Sequence, residues 1–279
     1  MDYSHKRSLA LGILVILMLT ATKPASGEIV PYFPQTGYQL LENGPVTIDI
    51  SNIESGYLMA KHSGTDHKLK VVITHLLGQN RYDLGGDGLY QTYPLSYGSG
   101  VYGIAMYEQE PGEKQNDSYK KIFGDFITVT MPDETLCFLY PNQYVWYTEY
   151  SVAPALSMLL CEGITSDIEK VEAVFSFISN QIRYDYIKAL TIQQNYIPDV
   201  DQTLRDETGI CFDYAALFAC MLRAQGVPTQ MAVGKLLISD PPVEHAWNKV
   251  KIGETWLMID PTFGNGRYTP AQYVEQHIY

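Results

Sequence analysis

Short runs rich in Val, Ile, Thr and Tyr, broken by turn-forming clusters, mark the chain from residue 28 to 150. The runs VTIDI (46–50), YLMAK (57–61), KLKVVITHLL (68–77), VYGIAMYE (101–108), FITVTM (126–131) and YVWYTEYSV (144–152) predict strands. Turn signals at LGGDG (84–88), YGSG (97–100) and EPGEKQND (110–117) separate them. Strands at this spacing predict an all-β, sandwich-like region. Its many tyrosines suit half-buried pleated faces, and a carbohydrate- or peptide-binding surface is the other reading of them.

After residue 150 the period changes. In SDIEKVEAVFSFISNQIRYDY (166–186), Val171, Val174, Phe175, Ile178 and Ile182 recur at helical spacing behind a Ser166-Asp167 start signal. IPDVDQTLRDETG (197–209) reads as a polar loop. A second helix starts near Cys211 and carries a stripe of Tyr214, Leu217, Phe218, Met221 and Leu222. It stops at Gly226, with Pro228 just beyond. TQMAVGKLL (229–237), HAWNKVKI (245–252) and TWLMID (255–260) predict strands, the last two forming a hairpin across Gly253-Glu254. The expected fold is α+β: a β-rich, sandwich-like domain at 28–150, then an α+β domain at 151–279 in which a helical layer covers an antiparallel sheet.

Composition supports a packed protein, since apolar residues make up 46% of the chain and charged residues only 18%. A net charge of −12 argues against nucleic acid or anionic lipid as a partner. Residues 1–27 have the form of a secretory signal peptide: Lys6 and Arg7, the apolar run SLALGILVILMLTA, then Ala25 and Gly27 before the cut. An uncut N-terminal anchor is the alternative, although the run is short for a bilayer span. Cleavage removes Lys6, Arg7 and Lys23 but only Asp2, so the mature chain is more acidic still. The expected location is extracellular or in the cell envelope, with no stable membrane insertion after cleavage. Disulfides are permitted there, and Cys137–Cys161 is the pairing to weigh against buried free thiols.

The chemistry centres on Cys211. At a helix start the unpaired backbone N–H groups and the macrodipole favour an anion, and a thiolate is one. Cys220, deeper in the same helix, has no such help and reads as packing. A cysteine nucleophile needs a base and the base an orienting partner. His277 lies near the chain end in a segment expected to fray, which leaves His245. With a two-residue turn, Ile252 pairs with Thr255, His245 faces Thr262 and Trp247 faces Asp260. His245 and Asp260 then share a face as diagonal neighbours, about 7–8 Å apart. A register slip of one residue would separate them. His62, His67 and His75 lack metal-ligand spacing and read as surface or packing residues.

GICFDYAALFACMLRAQGVPTQMAVG (209–234) and EHAWNKVKIGETWLMIDPTFG (244–264) together resemble the core of the transglutaminase-like superfamily, and the helix ending IRYDY resembles its bacterial members. The likeness covers roughly residues 165 to 265 and leaves 28–150 untouched. It implies a papain-like α+β core with Cys211 as nucleophile, His245 as base and Asp260 as orienter; no step of that chemistry requires a metal, and no cofactor is expected. The chemistry implied is acyl transfer: a thioester forms from a protein or peptide carboxamide and is resolved by water or by an amine. The Cys211 backbone N–H is one oxyanion donor by its position at a helix start. Tyr184 or a side chain on the preceding helix is the candidate for the second, and Trp247 and Asn248 support the histidine strand or simply pack it. The competing expectation is a non-catalytic surface or envelope binding protein that uses the β-domain.

Overall fold

The computed structural model describes residues 36–110, 118–193, 195–263 and 269–279. Residues 1–27, read as a signal peptide, and residues 111–117 of the expected turn lie outside them. No helix among the described residues is long and apolar enough to cross a membrane.

The molecule is α+β, with three four-stranded antiparallel sheets and a small helical layer. The first sheet runs β1 (Leu40–Asn43), β2 (Val46–Asp49), β3 (Tyr57–His62) and β6 (Gln91–Pro94), in that order. The second has the order β5 (Gly78–Leu84), β4 (Leu69–His75), β7 (Gly100–Gln109) and β8 (Tyr119–Val129). Alternation does the sorting, because successive strand side chains point to opposite faces. Val46, Ile48, Leu58 and Ala60 of the first sheet and Leu69, Val71, Ile73, Ile104 and Met106 of the second are all buried in one cluster. The intervening residues of β4 are only partly covered or exposed.

The expected strand at 144–152 is not one. Val145 and Tyr147 are buried and Trp146 exposed, so the alternation is real, but the segment pairs with no strand. Asn142 Oδ1 instead accepts from the backbone N–H groups of Tyr144 and Val145 and turns the chain. Residues 152 onward form helix α1 (Val152–Leu160), and Asp201 from a distant element accepts from its first two N–H groups at 3.0 Å each. The strand rule registers burial with period 2, and here burial occurs without a ladder.

Helix α2 (Asp167–Gln181) follows the expected periodicity: Val171, Val174 and Ile178 are buried and Phe175 packs beside them. Ser166 has N-cap backbone geometry but makes no side-chain capping bond. After the two-residue strand β9 (Arg183–Tyr184) come α3 (Tyr186–Thr191) and α4 (Val200–Asp206), the latter inside the stretch expected to be a polar loop. Asp199 caps α4 through the Gln202 N–H at 2.8 Å, and Val200 and Thr203 are buried. Seven residues sufficed because the helix only has to bury one turn and offer Asp201 to α1.

Strand β10 (Thr208–Gly209) leads into α5 (Cys211–Arg223), which packs against α1, α2 and α4 and against strands β11 (Thr229–Leu236) and β12 (Val243–Ile252). From Asp213 to Arg223 every residue of α5 is buried, so the apolar stripe widens to the whole circumference. Arg223 is fully buried within it and its guanidinium donates to the carbonyls of Thr229, Tyr140 and Tyr279. Burial holds its pKa below the usual guanidinium range, and the carbonyls supply the polar partners that water would otherwise give.

The third sheet has the order β13 (Thr255–Ile259), β12, β11 and β14 (Tyr273–Ile278). The hairpin register is the expected one, from Ile252 opposite Thr255 to Asn248 opposite Ile259, with Gly253 at φ 55 in the turn. The chain end does not fray: β14 pairs with β11, Tyr279 is buried, and His277 Nδ1 lies 3.1 Å from the Gln79 carbonyl. All four cysteines are free, so Cys137–Cys161 does not form; both are buried, and burial pushes the Cys137 thiol up to about 12. His62, His67 and His75 take local roles. His62 and His75 each accept a backbone N–H two residues on, and His67 faces Glu108.

Candidate active site

The first turn of α5 is built from three directions. The parallel pair β9–β10 sets Tyr184 beside Gly209, and the Asp185 N–H closes on the Gly209 carbonyl at 2.9 Å. A Cβ at Gly209 would sit 2.7 Å from the Cβ of Asp213, so only glycine fits there. Asp213, the third residue of the helix, reaches back to the Ile210 N–H at 2.9 Å, as a helix-start acid does. Its carboxylate is fully buried and also takes the Lys188 Nζ at 2.7 Å and the Tyr196 hydroxyl. Cys211 is thus held half-buried at the helix N-terminus.

His245 arrives from β12, opposite Gly234 of β11. Gly234 is constrained as well, since a Cβ there would lie 2.0 Å from the Val274 carbonyl where β14 crosses a register shift. That close approach delivers Tyr273 to the site. Asp260 ends the hairpin, and His245 Nε2 lies 2.7 Å from Asp260 Oδ2. The same oxygen accepts the Tyr273 hydroxyl at 2.8 Å, while Oδ1 accepts the Thr262 N–H at 3.0 Å. Asp260 therefore cannot rotate without losing several donors, and the imidazole is fixed with it.

His245 is also hydrogen-bonded to Cys211. Burial alone would lower the His245 pKa. Its hydrogen bonds to Asp260 and Cys211, and their charges, outweigh burial and raise it to about 9. The ring is boxed by aromatic side chains: Trp247 is nearly parallel at 6.2 Å, Phe263 lies at 5.1 Å and Tyr273 at 6.0 Å.

The supporting candidates separate. Tyr184 is beside Cys211. Burial first, then the charges of Cys211 and Tyr186, push its hydroxyl up to about 12, opposed by a hydrogen bond from the Cys211 backbone N–H. The phenol therefore keeps its proton and remains a donor at neutral pH. Trp247 packs on His245. Asn248, one position on, points to the opposite face and donates to the carbonyls of Ala215 at 3.0 Å and Gln230 at 3.2 Å, tying β12 to α5. Tyr273, Phe263, Asp213, Lys188 and Tyr196 are the site's neighbours that sequence reasoning missed. Of these only Asp213 carried a local signal, as an acid two positions after the helix-start cysteine.

Residues 155–261 match the family model of the transglutaminase-like superfamily. Human kyphoscoliosis peptidase is 31% identical over 119 residues, which is 40% of this chain and 18% of that protein. The mouse protein is 30% identical over 115 residues, 38% of this chain and 17% of its own length. The chain thus spans under a fifth of the curated relatives it matches. Among solved structures, a candidate cysteine protease from Cytophaga hutchinsonii is 14% identical with a TM-score of 0.45, covering 80% of this chain and 83% of its own. The periplasmic domain of TgpA from Pseudomonas aeruginosa is 15% identical with a TM-score of 0.36, covering 83% and 94%. The likeness to the transglutaminase-like superfamily thus falls on residues 155–261, the stretch that holds Cys211, His245 and Asp260.

Proposed function

We propose that this chain is a thiol enzyme acting on amide bonds of proteins or peptides outside the cytoplasm, with Cys211 as nucleophile, His245 as acid and base, and Asp260 as orienter. The observation that carries the reading is one imidazole shared by two partners: it lies 2.7 Å from Asp260 through Nε2 and is hydrogen-bonded to Cys211. The transglutaminase-like domain supports it, and the peptidase name of the curated relatives supports a peptide substrate. The signal-like N-terminus supports the location.

The Cys211 sulfur attacks the carboxamide carbon, forming a C–S bond while the carbonyl π electrons move to oxygen. Collapse of this adduct breaks the C–N bond, and His245 gives its proton to the leaving ammonia or amine. The thioester is then attacked by water or an amine, which loses its proton to His245, and the sulfur departs. The oxyanion needs donors that converge at one point. The Cys211 N–H and the Tyr184 hydroxyl already meet each other, so an incoming oxygen exchanges their mutual bond for two bonds to itself.

The test is mass spectrometry of glutamine-containing peptides incubated with the full chain, with and without a primary amine. Cleavage, conversion of amide to acid, or amine incorporation, each lost in Cys211→Ala, is the expected result. Unchanged peptides under all conditions would overturn the assignment.

A further inference from the structure

A cleft of about 580 Å³ lies beside the first turn of α5, and the second N-terminal sheet supplies much of its wall. The cleft is large enough for part of a polypeptide. Its floor is aromatic. Phe212, the residue after Cys211, sits 5.8 Å from Tyr144, which in turn packs at 4.3 Å on Tyr279 and 6.0 Å from Tyr82. Tyr196 lines one side, 6.4 Å from Phe212, while its hydroxyl holds Asp213. Phe212 thus joins the cleft to the turn that carries Cys211.

The opposing wall is the outward face of β4 and β5. Their register pairs Lys70 with Asp83 and Val72 with Arg81, so these side chains share the face away from the core. Lys70 and Asp83 neutralise each other in an ion pair. Arg81 is exposed at the rim and enters no ion pair among the described residues. A protein of net charge −12 thus presents one uncompensated cation in this cleft. The floor hydroxyls are already engaged: Tyr82 accepts from Asn80, Tyr144 donates to the Arg81 carbonyl and Tyr196 donates to Asp213. A saccharide would need a dense set of free polar groups, whereas a ring floor with one cation at its edge suits a side chain of large apolar surface followed by a carboxylate.

Resting on the reading of Cys211 as a nucleophile for protein carboxamides, we propose that this cleft seats the substrate polypeptide, with an aromatic or large apolar side chain on the floor and an acidic residue against Arg81. The β-rich N-terminal region is then the specificity wall of the enzyme, and it selects acidic-flanked glutamines on a chain that repels acid elsewhere.

Binding and turnover test this separately. Fluorescence polarisation would follow two labelled glutamine peptides on full-length Cys211→Ala, one flanked by Phe and Glu and one by Phe and Lys. The Glu peptide is expected to bind about fivefold more tightly, the scale of an exposed charge contact. Adding Arg81→Glu should reverse the order. Equal affinity for both peptides in both proteins would overturn the proposal, as would displacement of either peptide by a neutral oligosaccharide. A binding preference without turnover by the wild-type chain sinks the enzymatic reading and keeps the cleft; turnover without a preference does the reverse.

Discussion

The two ends of α5 hold the same functional group in opposite circumstances. Cys211 lies in the first turn, half-buried, hydrogen-bonded to His245 and flanked by Tyr184. Cys220 lies two and a half turns on with no exposure, and burial first, then the charge of Asp201, raises its thiol well above the usual range. The helix treats its polar groups differently at each end. At the start, Asp213, Lys188 and Tyr196 form a compact cluster that leaves the sulfur free to meet its partner. At the finish, Arg223 is immobilised by three carbonyls and ties the helix to β11, to the loop at Tyr140 and to Tyr279. On the function proposed above, one end reacts and the other holds, and position along the helix, more than residue type, assigns the roles.

Substitutions can break this contrast. Cys211→Ala should lower turnover by about 10⁴-fold or more while leaving the thermal midpoint nearly unchanged, because it removes a nucleophile and little buried surface. Tyr184→Phe should lower kcat by about 10²-fold with a smaller change in KM, as loss of one oxyanion donor does. A normal kcat would remove Tyr184 from the mechanism. Cys220→Ser, at the holding end, should cost about 1–3 kcal/mol in urea unfolding by placing a hydroxyl in an apolar interior, with the labelling rate of Cys211 unchanged. If Cys220→Ser instead slowed chemistry as much as it destabilised the fold, the division of labour would fail.

A further effect is one of pH. His245 binds its proton more tightly folded, at about 9, than the ordinary value of 6.5. A raised folded pKa contributes stability that is complete below about 6.5 and lost as pH rises through about 9. The stability gap between wild type and His245→Gln, followed by urea midpoints across that range, should narrow toward alkaline pH. A constant gap would mean that the histidine carries no excess proton affinity.

Much of the site was legible because its geometry is set locally. A two-residue turn with Gly253 fixes hairpin parity, and parity alone places His245 and Asp260 on one face. The helix at Cys211 was marked by the apolar stripe after it. What was not legible depends on elements far apart in the chain. Tyr273 reaches Asp260 only because β14 folds back along β11, a pairing that nothing at residues 273–278 announces and that contradicts the expectation of a frayed end. The capping of α1 by Asp201 needed α4, which was read as a loop because a helix of two turns leaves little periodicity. Residues 144–152 alternated like a strand because burial has the same period whether or not a ladder forms.

The central claim is that Cys211 is activated by the imidazole it faces. Its most direct test is the rate of iodoacetamide labelling at Cys211 in the full chain, resolved by peptide mass spectrometry, for wild type and His245→Ala from pH 5 to pH 10. The account predicts fast labelling of Cys211 at neutral pH, far ahead of Cys220, and a shift of the His245→Ala profile to alkaline pH. Labelling of Cys211 no faster than an ordinary thiol, with the same pH profile in both proteins, would contradict it.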